Sequence, residues 1–286
     1  MRALAVITLT MILFGVPGDA DAKLYFPEYE GSEWTDLARF GLEHLPNLNP
    51  PAAPGPITGS ASLDTLIWEI AFARGYEMRQ TPAGELVIQD GQLMQPLTAV
   101  SWEAMQAALA AAGHPVRIHS AYRSVSAQKG IFNSKLMGSS SIADINAVLD
   151  YSSPPGASRH HSGYALDIKT VDGTIGTFKT SAAYAWLSAD NFYNAKRFGF
   201  IPSYPDDAPN QGPKPEPWEF MYVGVETIRG ADQQFFYRSS DGTFKYYVMG
   251  SDGSLGALLK SGSYSLGWDS ISAIDVDGDG RDEQFF

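Results

Sequence analysis

The chain has 286 residues, 44% of them hydrophobic and 18% charged, enough to bury one ordinary core and leave room for an appendage. A net charge of −12 argues against a nucleic-acid partner, because holding phosphates needs a basic surface. The absence of cysteine excludes disulfides, thiolate metal ligands and lipid-modified thiols.

In chain order, Met1-Arg2, the apolar run Ala3 to Val16 and the small residues of Ala20-Asp21-Ala22 read as a secretory signal peptide over 1–22, cut before Lys23. The run is shorter than the ~20 residues of a spanning helix. The expectation is therefore an exported protein, periplasmic or secreted, with no membrane span after signal cleavage. Residues 23–60 are rich in Pro, Gly and aromatics and read as an extended arm or a partly disordered one, with Trp34 and Phe40 packing rather than binding. Leu63 to Arg74 has helical spacing and Gly75 ends it. Glu85 to Gln89 reads as a strand and Asp90-Gly91 as a turn. Ser101 to Ala112 reads as a helix capped by Ser101 and stopped by Gly113. Val116 to Ser120 is a strand, and a helix carrying Gln128 starts near Ser126. Ser139 to Ser153 reads as a connection holding at most one short helix.

Further on, Tyr164 to Lys169 alternates as a strand, and Asp172-Gly173 makes a turn. Ser181 to Phe198 reads as one helix, 205–215 as a Pro-rich loop, and Trp218 to Val225 as a strand. The sum is an α+β fold, a mostly antiparallel sheet with helices packed on it, over residues 61–226. Residues 227–286 form a small β-rich C-terminal appendage. Its Asp232-Gln-Gln-Phe-Phe recurs as Asp282-Glu-Gln-Phe-Phe, which suggests one propeller-like blade. Asp275, Asp277, Asp279 and Glu283 resemble a calcium loop of integrin-type FG-GAP repeats, with alternating oxygens and permissive glycines. The alternative is an acidic turn with no bound ion.

The segment PPGASRHHSGYALDI, Pro154 to Ile168, holds the densest chemistry. A loop delivers His160, the chain turns at Gly163, and a strand returns Asp167 beside it. Imidazole nitrogen and carboxylate oxygen both suit zinc. Taken alone, this spacing also fits an ordinary surface loop.

Three ordered blocks carry a resemblance. SAYRSVSAQ (Ser120 to Gln128), Ser158-x-His160-x-x-Gly163-x-Ala165-x-Asp167, and EPWEFMYVG (Glu216 to Gly224) resemble the motifs of VanY-type zinc D-Ala-D-Ala carboxypeptidases. Those belong to a wider group of peptidoglycan peptidases that includes L-alanyl-D-glutamate endopeptidases. The resemblance covers roughly Ala104 to Gly224. It implies one Zn2+ ion, peptidoglycan peptides as partners, His160 and Asp167 as metal ligands, and Glu216 as general base. It also implies that Arg123 holds the substrate's carbonyl or carboxylate, and that Gln128 and Ser158 line the site.

One departure matters. The family's third ligand is the His of E-P-W-H, and here that position is Glu219. A carboxylate can bind zinc, although a His-Asp-Glu set is harder and favours metals such as manganese more. His161 and His119 are possible stand-ins, His161 also reading as a residue that supports the ligands. Three functions stay open: a metallo-carboxypeptidase, an L-Ala-D-Glu endopeptidase, and a catalytically silent wall-binding module.

Overall fold

The computed structural model describes residues 26–229 in full and, beyond them, the backbone of five strand segments. The signal segment 1–22 lies outside the described residues. So does the acidic run 275–282; of Glu283 only the backbone is described.

Helix α1 (Glu33–His44) stands where an extended arm was expected. Its buried residues Trp34, Leu37, Ala38, Gly41 and Leu42 recur at the spacing of a single helical face. The Pro and Gly residues that suggested an arm flank this stripe without interrupting it. The face packs on Tyr164, Ile201, Met221 and Val223, so α1 is part of a core. Trp34→Ala is accordingly expected to destabilise the protein by about 3–5 kcal/mol, seen as a lower midpoint in urea unfolding. An unchanged midpoint would mean that α1 is only a loosely attached arm.

Strand β1 (Leu48–Asn49) precedes α2 (Ala61–Ala73) and pairs with β2 (Thr81–Pro82). Strands β3 (Val87–Gln89) and β4 (Gln92–Met94) form a hairpin around Asp90-Gly91, both at positive φ, as a two-residue turn requires. Helix α3 (Pro96–Ala111) begins before the expected cap: Pro96 takes the first helical position after extended Gln95, and Ser101 lies inside the helix. Strand β5 (Val116–Ser120) follows as expected. Next come α4 (Val125–Leu136), capped by the Ser124 hydroxyl, and α5 (Ile142–Leu149), capped by Ser141.

A 3-10 turn over Arg159–Ser162 leads into β6 (Ala165–Thr170), and a second 3-10 stretch covers Ile175–Thr180. Helix α6 (Ala182–Lys196) is broken. Ala189 is extended, and Asp190, Asn191 and Phe192 are left-handed. Asn191 accepts from the Tyr29 amide and donates to its carbonyl, clasping the N-terminal segment at the break. Strands β7 (Phe200–Tyr204) and β8 (Glu216–Tyr222) precede the short helix α7 (Val225–Arg229).

The central sheet has the order β5-β6-β8-β7 and is antiparallel throughout. One face sends Ile118, Leu166, Ile168 and Phe220 against Trp102 and Met105 of α3. Strand alternation turns the intervening Asp167 and Glu219 to the opposite face. A further apolar cluster joins α2, α4 and α5 through Ile67, Phe132 and Ile145. Toward the C-terminus, β9 (Gln233–Arg238), β10 (Thr243–Met249) and β11 (Leu255–Ser263) form an antiparallel meander, and β12 (Ser272–Ile274) pairs with β13 (Glu283–Phe285).

Candidate metal centre

The turn that holds His160 ends at Gly163, whose φ of +77° is left-handed and disfavours a side chain. The reversal there starts β6, which carries Asp167 back to His160, the path expected from the sequence. Asp167 and Glu219 are direct cross-strand partners on β6 and β8. His160 Nε2 lies 3.3 Å from Asp167 Oδ2 and 3.3 Å from Glu219 Oε2. One ligand atom from each residue falls within 4.8 Å of the other two, and all three residues are buried. Donors placed ~2.0–2.1 Å from a tetrahedral zinc stand roughly 3.3–3.4 Å apart, so the two His160 spacings suit such an ion.

Three features show that these residues fit a cation. Asp167 Oδ1 is buried and has no hydrogen-bond partner among the described residues. His160 Nδ1 lies 2.6 Å from the Ala121 carbonyl, where it donates its proton and leaves Nε2 to face the carboxylates. Finally, like charges directly opposite across a ladder repel, which the Asp167–Glu219 pair tolerates only with positive charge between them.

The two carboxylates also draw positive charge onto His160 itself. Burial would depress His160, but Asp167 and then Glu219 outweigh it and push its pKa up to about 10. Burial would raise Glu219, but His160, the Ser203 hydroxyl and Arg159 bring it down to about 2. Glu216 moves the other way. Burial, then the charges of Glu219 and Asp167, hold its carboxyl well above the usual range.

Glu216 and Glu219 are three residues apart and would face opposite ways on a regular strand. They share a side because β8 bulges. Pro202 pairs with Phe220 and Tyr204 with Glu216, so β8 advances four residues while β7 advances two. Glu216 thereby comes within hydrogen-bonding reach of Glu219.

Arg123 stands at the rim, 3.8 Å from Asp167 Oδ2. Its guanidinium donates to Gln128 Oε1 at 2.9 Å and to Ser120 Oγ at 3.0 Å. Gln128 is buried behind it, its own amide donating to Ser152 Oγ and the Ser153 carbonyl. Ser158 is buried at the start of the 3-10 turn, and its side chain caps nothing there. His161 is fully engaged: Nδ1 lies 2.6 Å from the Arg123 carbonyl and Nε2 accepts from the Gly156 amide. Burial holds it down, to about 4. His119 is exposed on β5, outside the cluster of donors. Neither histidine takes the third position.

Two participants escaped the sequence reading. Arg159 is buried beside the ring of Tyr204, and Ser203 Oγ donates to Glu219 Oε1 at 2.6 Å. A buried arginine leaves no signal in a hydrophobicity pattern, and the run Ser203-Tyr204-Pro205, which resembles a family segment, does not by itself reveal the contact to Glu219.

Residues 91–225 match the family model of VanY, D-alanyl-D-alanine carboxypeptidase, so the resemblance carried by the three motifs holds over this stretch. A D-alanyl-D-alanine carboxypeptidase of Enterococcus faecalis (strain ATCC 700802 / V583) is 41% identical over 73 residues, 25% of this chain and 25% of that protein. The chain thus spans about a quarter of the length of that curated relative. Among solved structures, a VanY D,D-pentapeptidase from a VanB-type resistance cassette, in complex with Zn(II), is 28% identical. The match covers 54% of this chain and 90% of that one, with a TM-score of 0.43. VanYB in complex with D-alanine-D-alanine is 29% identical over 50% of this chain and 80% of that one, with a TM-score of 0.42.

Proposed function

We propose that the chain is a metal-dependent carboxypeptidase that removes the terminal D-Ala from peptidoglycan stem peptides outside the cytoplasm. The observation that carries this reading is the buried His160–Asp167–Glu219 triangle, at spacings that suit zinc, with Glu216 beside it. The match to a D-alanyl-D-alanine carboxypeptidase family over 91–225 supports the substrate class. Among the described residues no helix is long and apolar enough to cross a membrane. The signal-like start supports export.

In this reading His160, Asp167 and Glu219 hold the zinc, which when bound supplies Lewis acidity toward the scissile carbonyl and the attacking water. Glu216 takes the water's proton and passes it to the departing amine. Its place within hydrogen-bonding reach of Glu219 puts a proton acceptor beside the metal ligands. Arg123, fixed by Ser120 and Gln128, offers its guanidinium to the terminal carboxylate of the substrate. Ser158, buried two residues before His160, is the further residue that lines the site in this reading.

Arg123→Ala is expected to lower kcat/KM by about 10–150-fold, the equivalent of about 1.5–3 kcal/mol for a charge-assisted hydrogen bond, mostly through KM. A loss confined to kcat would remove Arg123 from substrate binding.

The test of the function is the chain from Lys23 onward incubated with pentapeptide muropeptides and zinc, with and without a chelator, its products read by mass spectrometry. Loss of one alanine, blocked by the chelator, is expected. A cut between alanine and glutamate would replace the carboxypeptidase with an endopeptidase at the same centre. Intact substrate with zinc and with manganese would leave a silent wall-binding module.

A further inference from the structure

Arg159 is 1% exposed, and the described residues give its Nε and Nη2 no hydrogen-bond partner. A buried guanidinium with idle donors adds little to stability by itself. Its Nη1 is engaged, donating to both the carbonyl and the hydroxyl of Ser203, the latter at 3.2 Å. Guanidinium nitrogens only donate, so Ser203 Oγ accepts from Arg159 and has one proton left to give. That proton goes to Glu219 Oε1 at 2.6 Å. The other oxygen of the same carboxylate, Oε2, is the one that faces His160.

We propose that Arg159 is a positioning residue for Glu219: through Ser203 it fixes one carboxylate oxygen so that the other is presented to the metal. This rests on the reading of Glu219 as a ligand. It also gives physical sense to a carboxylate at this place. A carboxylate brings negative charge beside Asp167 and can rotate or turn toward Glu216. The Ser203 hydrogen bond restrains the rotation, and the buried guanidinium offsets the charge. Ser203 on β7 faces Glu219 across the bulge, so the brace acts where the sheet is least regular.

Arg159 also repels a bound cation, so a variant that deletes its charge would mix two opposite effects. Two charge-conserving variants avoid this: Ser203→Ala and Arg159→Lys, singly and combined. The readout is zinc affinity of the purified chain, by competition with a chromophoric chelator, with thermal unfolding of the metal-free proteins alongside. Each single variant is expected to bind zinc about 10–100-fold more weakly. The double variant should bind no more weakly than the weaker single one, because Arg159 acts through Ser203. Losses that multiply in the double variant would overturn the proposal. Wild-type affinity in Ser203→Ala would also overturn it, whether or not Arg159→Lys folds. If the wild-type chain binds no zinc, the metal reading fails, and the inference with it. Tight binding by wild type with unaffected variants removes the inference alone.

Discussion

Replacing Glu216 with glutamine is expected to lower the turnover of muropeptides by about 10²–10⁴-fold while zinc affinity stays within about tenfold of the parent protein. The substitution keeps the shape and removes the proton acceptor. Glu216 is the carboxyl of the cluster whose proton affinity is raised, whereas Glu219 is held ionised. The surroundings thus shift two carboxylates three residues apart in opposite directions, which suits the proposed division into proton acceptor and ligand. Steady-state kinetics with a parallel zinc titration checks this. A loss of zinc affinity as large as the loss of turnover would make Glu216 a ligand rather than a base.

Asp167→Asn is expected to weaken zinc binding by more than about 100-fold, beyond what removing a supporting residue costs, and to abolish turnover at limiting zinc. Asp167 Oδ2 faces His160 Nε2, and its Oδ1 has no partner among the described residues, which suits the carboxylate to the proposed role of ligand. Thermal unfolding gives an independent readout. Zinc at 100 times its Kd stabilises a binding protein by about 2.7 kcal/mol, so the wild-type midpoint should rise with zinc and that of Asp167→Asn should not. A rise in both would place the metal elsewhere.

Much of this architecture was legible in the sequence. Val116–Ser120 and the strand carrying Asp167 alternate, and turn residues bound them, so local pattern and tertiary role agree. Asp90-Gly91 was legible as a turn because few other pairs tolerate two positive φ values, whereas the short returning strand β4 was not read. The stripe on α1 was hidden by the prolines and glycines around it. The break in α6 was illegible for a different reason. Neither Pro nor Gly marks it; Asn191 holds it through Tyr29, 162 residues away in the chain.

At the candidate centre, motif order pointed to His160, Asp167, Glu216 and Glu219. Which of the two glutamates faces the histidine depends on the bulge in β8, and a bulge is a property of pairing between strands rather than of one strand's sequence. The brace behind Glu219 was out of reach for the same reason. Arg159 and Ser203 are 44 residues apart and meet only because β7 lies beside β8.

In the proposed site a carboxylate, Glu219, completes the metal coordination together with His160 and Asp167. X-ray absorption at the zinc edge tests it most directly, on the wild-type chain loaded with one equivalent of zinc and on Glu219→Ala treated alike. A single imidazole and otherwise oxygen donors at ~2.0–2.1 Å are expected in wild type, with the oxygen shell altered in the variant. Two imidazoles around the zinc, or the same shell in both proteins, would contradict it.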